Sequence, residues 1–203
     1  MPPPLYRFLR TIGWPIVHGL FRLEVTGLEH VPRQGGCVLA ASHISNFDPW
    51  PLGSPLYPRY LRFMAKSELY WWPLRYVLDA AGAFPVRRGE GDREALERAV
   101  SLCRQGELVV MFPEGTRRKK GLRKKWQPRA HTGAARIALE AGVPLIPAGI
   151  TGTERLARLG PFRVAYGPPM PLVNPGNEDV KDAAQIVTEQ LMAEIHRLER
   201  SLE

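Results

Sequence analysis

Residues 36–50 read GCVLAASHISNFDPW, a strand pattern that leads through a short loop to a helix start. The first six residues are small or apolar, as expected for a short buried strand. Asp48 and Pro49 are typical of a helix start, with the acid at the N-cap and the proline at the first helical position. The stretch therefore predicts a strand, a loop and a helix in succession, which is typical of α/β folds.

Strand and helix patterns alternate along the rest of the 203-residue chain. This length fits one domain with a core of its own. Strands are predicted at residues 21–25, 61–64, 108–112, 145–150 and 162–166, and helices at 92–105, 132–141 and about 180–202. The alternation predicts a single α/β domain over residues 23–203, in which helices flank a mostly parallel or mixed sheet.

Residues 1–22 form an amphipathic helical segment in front of this domain. Its apolar side chains form one stripe interrupted by arginines, and Pro15 is predicted to divide it into two short helices. Such a segment can lie in a membrane interface without crossing it, or it can pack on the core. Residues 69–76 (LYWWPLRY) form a second, aromatic segment with the same two interpretations, of which packing on the core is preferred.

The chain is basic, with 28 lysines and arginines against 20 acidic residues and a net charge of +8. This balance favours anionic partners, such as nucleic acid, phosphorylated metabolites, an acidic carrier protein or an anionic membrane surface. No apolar stretch approaches the ~18 residues of a spanning helix, and no signal peptide is evident. We therefore expect a peripheral protein on the cytoplasmic face of a membrane, with no transmembrane helix.

The cysteines and most of the histidines give no sign of metal chemistry. Cys37 and Cys103 both fall in predicted buried elements, so we expect neither a disulfide nor a zinc site. The histidines other than His43 have no carboxylate or cysteine at metal-ligand spacing. The sequence therefore predicts no bound metal.

His43 and Asp48 suggest a general base with a carboxylate partner. On a helix, two residues five apart would point roughly 140° away from each other, so these side chains can meet only across a turn. Such a turn would fold the carboxylate onto the imidazole, fix its tautomer and stabilise the cation that forms when it takes a proton. The alternative is that Asp48 caps a helix and His43 is an ordinary loop histidine.

A second segment, residues 108–117 (LVVMFPEGTR), places an acid, a glycine and an arginine after an apolar strand pattern. Pro113 ends the strand, and Gly115 permits a tight turn or a close approach of backbone to ligand. Arg117 carries a planar cation that suits a phosphate. Residues 82–88 (GAFPVRR) form a similar segment, in which a small-residue turn and a short apolar run are followed by two arginines. In each case, a surface arginine after a strand is the alternative.

Four blocks of the sequence resemble, in order, those of the glycerolipid acyltransferase family. They are H-x-S-x-x-D at residues 43–48, GAFPVRR at 82–88, FPEGTR at 112–117 and VPLIP at 143–147. The likeness covers about residues 23–171 of the chain. It departs from the family's pattern at Ser42, where asparagine is often found.

The resemblance implies a role for each block. His43 would act as the catalytic base, and Asp48 would orient it. The acceptor's phosphate would be held by residues of the second and third blocks together with a lysine between the first two: Arg88, Glu114, Gly115, Thr116, Arg117 and Lys66. In the fourth block, Pro144 and Pro147 would line the acyl chain or serve a structural role.

The family's reaction moves a fatty acyl group from acyl-CoA or acyl carrier protein, as co-substrate, to the 2-hydroxyl of 1-acylglycerol 3-phosphate (lysophosphatidate). The resemblance implies this phosphatidate-forming activity at an anionic membrane surface, with no cofactor. Another lysophospholipid, glycerol 3-phosphate or a glycolipid could replace the acceptor. No G-x-S-x-G nucleophile elbow occurs, so we expect direct transfer. Hydrolysis of the thioester is the alternative enzyme activity.

Residues 117–125 contain seven basic side chains, for which three interpretations exist. A solvated loop is the default. The second is a phosphate-rich partner, such as the nucleotide end of coenzyme A, an acidic carrier protein or lipid head groups. The third is nucleic acid, which would require a recognition helix or interleaved aromatic side chains, and only Trp126 is near. We therefore expect no nucleic-acid partner.

Overall fold

The computed structural model describes residues 3–86, 92–115, 130–172 and 180–203. The strands are β1 (Glu24–Thr26), β2 (Cys37–Ala41), β3 (Leu61–Lys66), β4 (Ala83–Val86), β5 (Leu108–Met111), β6 (Leu145–Thr151) and β7 (Arg163–Tyr166). The α-helices within these ranges are α1 (Pro4–Pro15), α2 (Pro49–Gly53), α3 (Leu74–Ala81), α4 (Asp92–Arg104), α5 (Gly133–Ala141) and α6 (Val180–Ser201).

The seven strands form one mixed sheet in the order β1-β7-β6-β2-β5-β3-β4. β6 and β7 pair antiparallel, whereas the other neighbouring pairs are parallel. Helices cover the sheet, and the side chains of α4, α5 and α6 share one core cluster with it. The prediction of a single α/β domain with a mostly parallel or mixed sheet is confirmed.

The sheet is buried on both faces, which explains the unbroken apolar run of β2. Val38 and Ala40 point into the cluster shared with α4, α5 and α6. Leu39 and Ala41 point into a second cluster on the opposite face. All of β2 is buried, and such a central strand has no solvent face on which polar side chains could alternate with apolar ones.

Five strands of the sheet run in the same direction, so their carboxyl ends lie along one side of the sheet, which is called the carboxyl edge below. They are β2, β3, β4, β5 and β6. In α/β sheets, ligands bind outside the carboxyl ends of the strands. The loop that contains His43 follows β2, and the turn that contains Glu114 follows β5. The first and third sequence blocks are therefore neighbours at this edge.

The amino-terminal segment differs from the expectation of two short helices divided at Pro15. α1 runs to Pro15 and continues directly into a π-helical turn over Ile16–Leu20. Proline has no backbone N–H, so an α-helical hydrogen bond is missing here. The next turn is wider, with the N–H of Phe21 donating to the carbonyl of Ile16 at 3.0 Å. No described helix combines the length and apolar character needed to cross a bilayer.

The aromatic segment at residues 69–76 also differs from the preferred expectation, which was packing on the core. Trp71 is 58 % exposed and Trp72 75 % exposed, and Tyr76 on α3 is also exposed. α1 packs beside α3 and exposes Phe8 and Ile12. These five exposed side chains, on α1, on α3 and on the segment just before α3, are called the aromatic face below.

β4 is a strand where the sequence indicated only a short apolar run. It lies at the end of the sheet, where Pro85 is tolerated because an edge strand leaves some of its N–H groups unused. Gly82 makes the turn from α3 with a φ of +95°, and a Cβ there would lie 1.9 Å from the carbonyl oxygen of Leu61. A glycine is therefore required for β4 to begin beside β3.

The contact between α6 and β6 depends on Gly149. A Cβ at this position would lie 2.7 Å from the backbone nitrogen of Glu199 and 2.8 Å from the carbonyl carbon of Leu198. These atoms belong to the helix backbone and cannot rotate away as a side chain could. An added methyl group would therefore displace the helix.

We predict that Gly149→Ala lowers the free energy of unfolding by about 1–3 kcal/mol, the usual cost of overpacking a core. Gly19→Ala is the matched control, because nothing lies within 4 Å of a Cβ there. Urea unfolding of both variants measures the difference. Equal stability of the two variants would contradict the direct packing of α6 on β6.

Candidate active site

The loop after β2 brings His43 and Asp48 into contact. Nδ1 of His43 lies 2.8 Å from Oδ2 of Asp48. β2 ends at Ala41 and α2 begins at Pro49, so residues 42–48 form the turn that allows the contact. The structure contains the contact that the sequence predicts, and the chemical roles of the two residues stay a prediction.

Asp48 is fully buried and is surrounded by hydrogen-bond donors. Besides the His43 ring, its Oδ2 accepts the backbone N–H groups of Ile44 at 2.7 Å and Ser45 at 2.8 Å. Its Oδ1 accepts the hydroxyl of Thr153 at 2.6 Å. Three N–H groups and one hydroxyl match the acceptor capacity of an ionised carboxylate. Such charge-assisted contacts are stronger than neutral hydrogen bonds.

The interpretation of Asp48 as a helix cap is wrong. The residue does stand directly before α2, but its side chain makes no hydrogen bond to that helix. Its φ of −51° and ψ of −40° are already helical, whereas a capping residue has an extended backbone from which its side chain can reach forward. The carboxylate is instead directed back at the loop that contains His43.

This arrangement holds the imidazole in one tautomer and one orientation. Because the carboxylate accepts from Nδ1–H, Nε2 is the nitrogen left to take a proton from a substrate. Phe112 stacks on the ring, with 4.2 Å between the ring centroids and 20° between the planes. The His43 side chain is 18 % exposed, so only a small part of it is open to solvent or substrate.

The turn after β5 requires the glycine of the third block. The N–H of Gly115 donates to the carbonyl of Phe112 at 3.0 Å, and its φ is +65°. This positive φ favours glycine, and a Cβ here would also lie 2.6 Å from Cδ2 of the exposed His131, whose side chain would have to move. Glu114, in the same turn, is 3 % exposed. The third block therefore shapes the surroundings of the base as well as carrying the predicted phosphate-binding residues.

The remaining predicted phosphate-binding residues are placed unevenly. Lys66 is exposed and ends β3 at the same edge of the sheet as the His43 loop. β5 lies between β3 and β2, so Lys66 is two strands away from His43 along that edge. Arg88, Thr116 and Arg117 lie outside the described residues.

The prolines of the fourth block make backbone contacts within the sheet. The carbonyl of Pro144, at the amino end of β6, accepts the N–H of Val38 at 2.9 Å. This end of β6 is opposite to the edge that contains His43. The carbonyl of Pro147 accepts the N–H of Gly167 at 2.8 Å. The acyl-chain or structural role of the two prolines stays a prediction.

The two thiols are poor candidates for a covalent intermediate. Burial raises the pKa of Cys103 to about 12 and also raises the pKa of Cys37. The thiolate is the nucleophilic form of cysteine, and it is scarce at neutral pH in both cases. Within the described ranges, no group of three or more histidine, cysteine, aspartate or glutamate side chains could hold a metal ion.

Two contacts at the base were not predicted from the sequence. Thr153 is 105 residues from Asp48, and a single sequence contains no signal that links them. Phe112 belongs to an apolar run that predicts only a strand. Its place directly before a proline and a turn was the available sign that its ring leaves the sheet at the site.

An imidazole held by a buried acid at the carboxyl ends of the strands of an α/β sheet is the arrangement expected of a general base. An acyltransferase family model matches residues 22–151, which include both the His43 loop and the turn after β5. The chain belongs to this acyltransferase family.

Individual proteins give a closer comparison. The chain is 29 % identical over 186 residues to a 1-acyl-sn-glycerol-3-phosphate acyltransferase from Bacillus subtilis, covering 89 % of this chain and 90 % of that protein. It is 29 % identical over 148 residues to a chloroplastic 1-acyl-sn-glycerol-3-phosphate acyltransferase from Brassica napus, covering 71 % of this chain and 41 % of the plant protein. The crystal structure of the 1-acyl-sn-glycerophosphate acyltransferase PlsC from Thermotoga maritima has the same fold. Its TM-score is 0.67 at 24 % identity, covering 96 % of this chain and 80 % of that one.

Proposed function

We propose that this protein transfers a fatty acyl group from an acyl thioester to the 2-hydroxyl of 1-acylglycerol 3-phosphate, giving phosphatidate. The observation that carries the proposal is the 2.8 Å contact between His43 and the buried Asp48. Attack by a hydroxyl on a thioester requires a group that removes the hydroxyl proton. Relatives of this chain, including one that it covers over 90 % of its length, are named for this reaction.

In the proposed reaction, Nε2 of His43 takes the proton of the acceptor hydroxyl as its oxygen attacks the thioester carbon. A carbon–oxygen bond forms, and the resulting oxyanion collapses with breakage of the carbon–sulfur bond. The departing sulfur then receives the proton from His43. Asp48 stabilises the imidazolium between these two steps through its contact with Nδ1–H. The raised pKa values of the buried cysteines support direct transfer without an enzyme thioester.

The acceptor's phosphate is proposed to bind along the same edge of the sheet. Lys66 is exposed where β3 ends. β4 and β5 end at the same edge, and the chain continues from them into the segments that contain Arg88 and Arg117. Cations around one phosphate would fix the acceptor with its free hydroxyl at Nε2 of His43, which lowers the entropic cost of the reaction.

The acyl donor is proposed to be acyl-CoA or acyl carrier protein, as a co-substrate. Both are anionic, and the chain has a net charge of +8 that would attract either of them. The thioester itself supplies the activated acyl group, so the proposal includes no further cofactor.

We propose that the aromatic face binds an anionic membrane from its cytoplasmic side. Arg7 on α1 and Arg75 on α3 are exposed, and the Arg75 guanidinium lies 4.8 Å from the centroid of the Tyr76 ring. Apolar side chains next to arginines suit the boundary between acyl chains and anionic head groups. α1 also approaches the site on its buried side, since a Cβ on the buried Gly13 would lie 3.9 Å from Trp50, two residues after Asp48. A lipid acceptor could reach His43 without leaving the membrane surface.

The first test is an assay of the purified protein with a labelled acyl thioester and a panel of acceptors, with products separated by lipid class. We predict phosphatidate as the product and a loss of roughly a hundredfold or more in His43→Ala, because a general base contributes about 10²–10⁴-fold to rate. His196→Ala, on α6, is the matched control. A folded His43→Ala variant with normal turnover would contradict the proposal. Free fatty acid without any ester would instead support a hydrolase.

The second test concerns Arg117 and the acceptor phosphate. We predict that Arg117→Lys raises the acceptor's KM roughly ten- to a hundredfold, because lysine cannot reproduce the two parallel hydrogen bonds of a guanidinium. The donor's KM should change little. Arg93→Lys, at an exposed position of α4, is the control. A rise in the donor's KM alone would assign Arg117 to the thioester instead.

The third test concerns the aromatic face. We predict that Phe8→Ser and Trp72→Ser each weaken sedimentation with anionic vesicles by about tenfold or more, since burial of a large apolar side chain contributes about 1.5–3 kcal/mol. Ile186→Ser is the matched control, because Ile186 is 59 % exposed on α6. Point substitutions are preferable to deletion of residues 1–20, which would remove the buried Val17. Equal vesicle binding by all three variants would refute the assignment of this face.

A further inference from the structure

A hydrogen bond joins Thr153 to Asp48 at the edge of the sheet. The hydroxyl of Thr153 donates to Oδ1 of Asp48 at 2.6 Å, and the two side chains are buried at 1 % and 0 % exposure. The other carboxylate oxygen, Oδ2, is occupied by the His43 ring and two backbone N–H groups. Thr153 therefore donates to the carboxylate oxygen that receives no hydrogen bond from the His43 loop.

The sheet places Thr153 beside Asp48. β6 pairs with β2 and continues past Ala148, the partner of the last residue of β2, to Thr151. Gly152 then turns the chain with a φ of +91°, and a Cβ there would lie 2.2 Å from the carbonyl oxygen of Pro161. Glycine is thus required at this turn. The next residue, Thr153, therefore lies at the carboxyl end of β6, next to the start of the His43 loop at the end of β2.

The hydroxyl of Thr153 has no role in its own helix. Residues Thr153–Arg158 form a 3-10 helix whose N-cap is Gly152, and no side chain caps it. Threonine often bonds to nearby backbone at such a position. Here the hydroxyl instead spans 105 residues of sequence to reach the carboxylate.

We infer that Thr153 is a positioning residue, which anchors Oδ1 of Asp48 so that Oδ2 stays aligned with Nδ1 of His43. The inference rests on the proposed role of His43 as the base. A buried carboxylate oxygen that loses its donor must rotate towards another partner or admit water. Either change would disturb the contact that orients the imidazole. Thr153 acts on the reaction only through Asp48 and His43.

The test uses three variants of the full chain in the acyltransferase assay. Thr153→Val keeps the shape and removes the hydroxyl, whereas Thr153→Ser keeps the hydroxyl. Thr188→Val is the matched control, since Thr188 is also 1 % exposed and donates to the carbonyl of Ala184 at 2.6 Å within α6. We expect kcat to fall roughly ten- to a hundredfold in Thr153→Val with little change in either KM, as for loss of a hydrogen bond to a charged group.

Thr153→Ser should restore most of the lost activity, and Thr188→Val should stay close to the wild type. Should Thr153→Val fail to fold, Thr153→Ala takes its place, with the same loss of kcat expected. A folded Thr153→Val or Thr153→Ala variant with wild-type kcat would overturn the inference. So would a loss of kcat in Thr153→Ser or in Thr188→Val as large as that in Thr153→Val, because that pattern indicates a general effect on stability.

A second readout needs no substrate. Side-chain ¹⁵N spectra, assigned by comparison with His43→Ala, report which ring nitrogen of His43 is protonated when the ring is neutral. We expect the Nδ1–H form in the wild type and in Thr153→Ser, and a mixture of tautomers in Thr153→Val. An unchanged spectrum in Thr153→Val would overturn the inference. If the spectrum changes but the wild type makes no ester, the proposed function fails while the positioning role of Thr153 is upheld.

Discussion

A carboxylate buried at the carboxyl end of a central strand must be surrounded by hydrogen-bond donors, and the site is organised by this constraint. Asp48 is at 0 % exposure, and a charge so buried would be costly without hydrogen bonds to both oxygens. The His43 loop supplies three of these bonds, and the loop after β6 supplies the fourth. The orientation of the His43 imidazole is therefore a consequence of the need to give both Asp48 oxygens hydrogen-bond donors.

The sheet order makes this arrangement possible. β2 lies between β5 and β6, so the residues that follow it have a neighbour on each side. From β5 comes Phe112, which stacks on the His43 ring. From β6 comes Thr153, which holds the acid. A rigid central strand with packed neighbours positions these groups more tightly than a free loop could. This is also why the packing of α6 on β6 at Gly149, remote from the chemistry, bears on the site.

Most of the fold and the local part of the site could be predicted from the sequence, because both depend on short-range patterns. Buried strands such as β2 have a distinctive composition, and His43 and Asp48 meet across a loop of a few residues. β4 escaped prediction because it is four residues long and contains Pro85. Thr153 could not be found, since its partner is defined only by the order of β6 and β2. Trp71 and Trp72 were misjudged because large apolar side chains are usually buried.

The proposed reaction has two requirements, proton transfer and contact with a lipid acceptor. The buried acid bears on the first requirement and the exposed tryptophans on the second. Proton transfer by His43, as proposed, would need an imidazole whose position does not fluctuate, and the fully hydrogen-bonded Asp48 would hold the ring in place. A lipid acceptor needs a surface that competes with the bilayer for apolar contact, and the aromatic face is proposed to be that surface. Asp48 directly precedes α2, and Trp50 of α2 lies beside Gly13 of α1, the helix that exposes Phe8 and Ile12. In the proposed membrane contact, the short helix α2 would therefore link α1 to the loop that contains His43. None of the described helices could cross a bilayer.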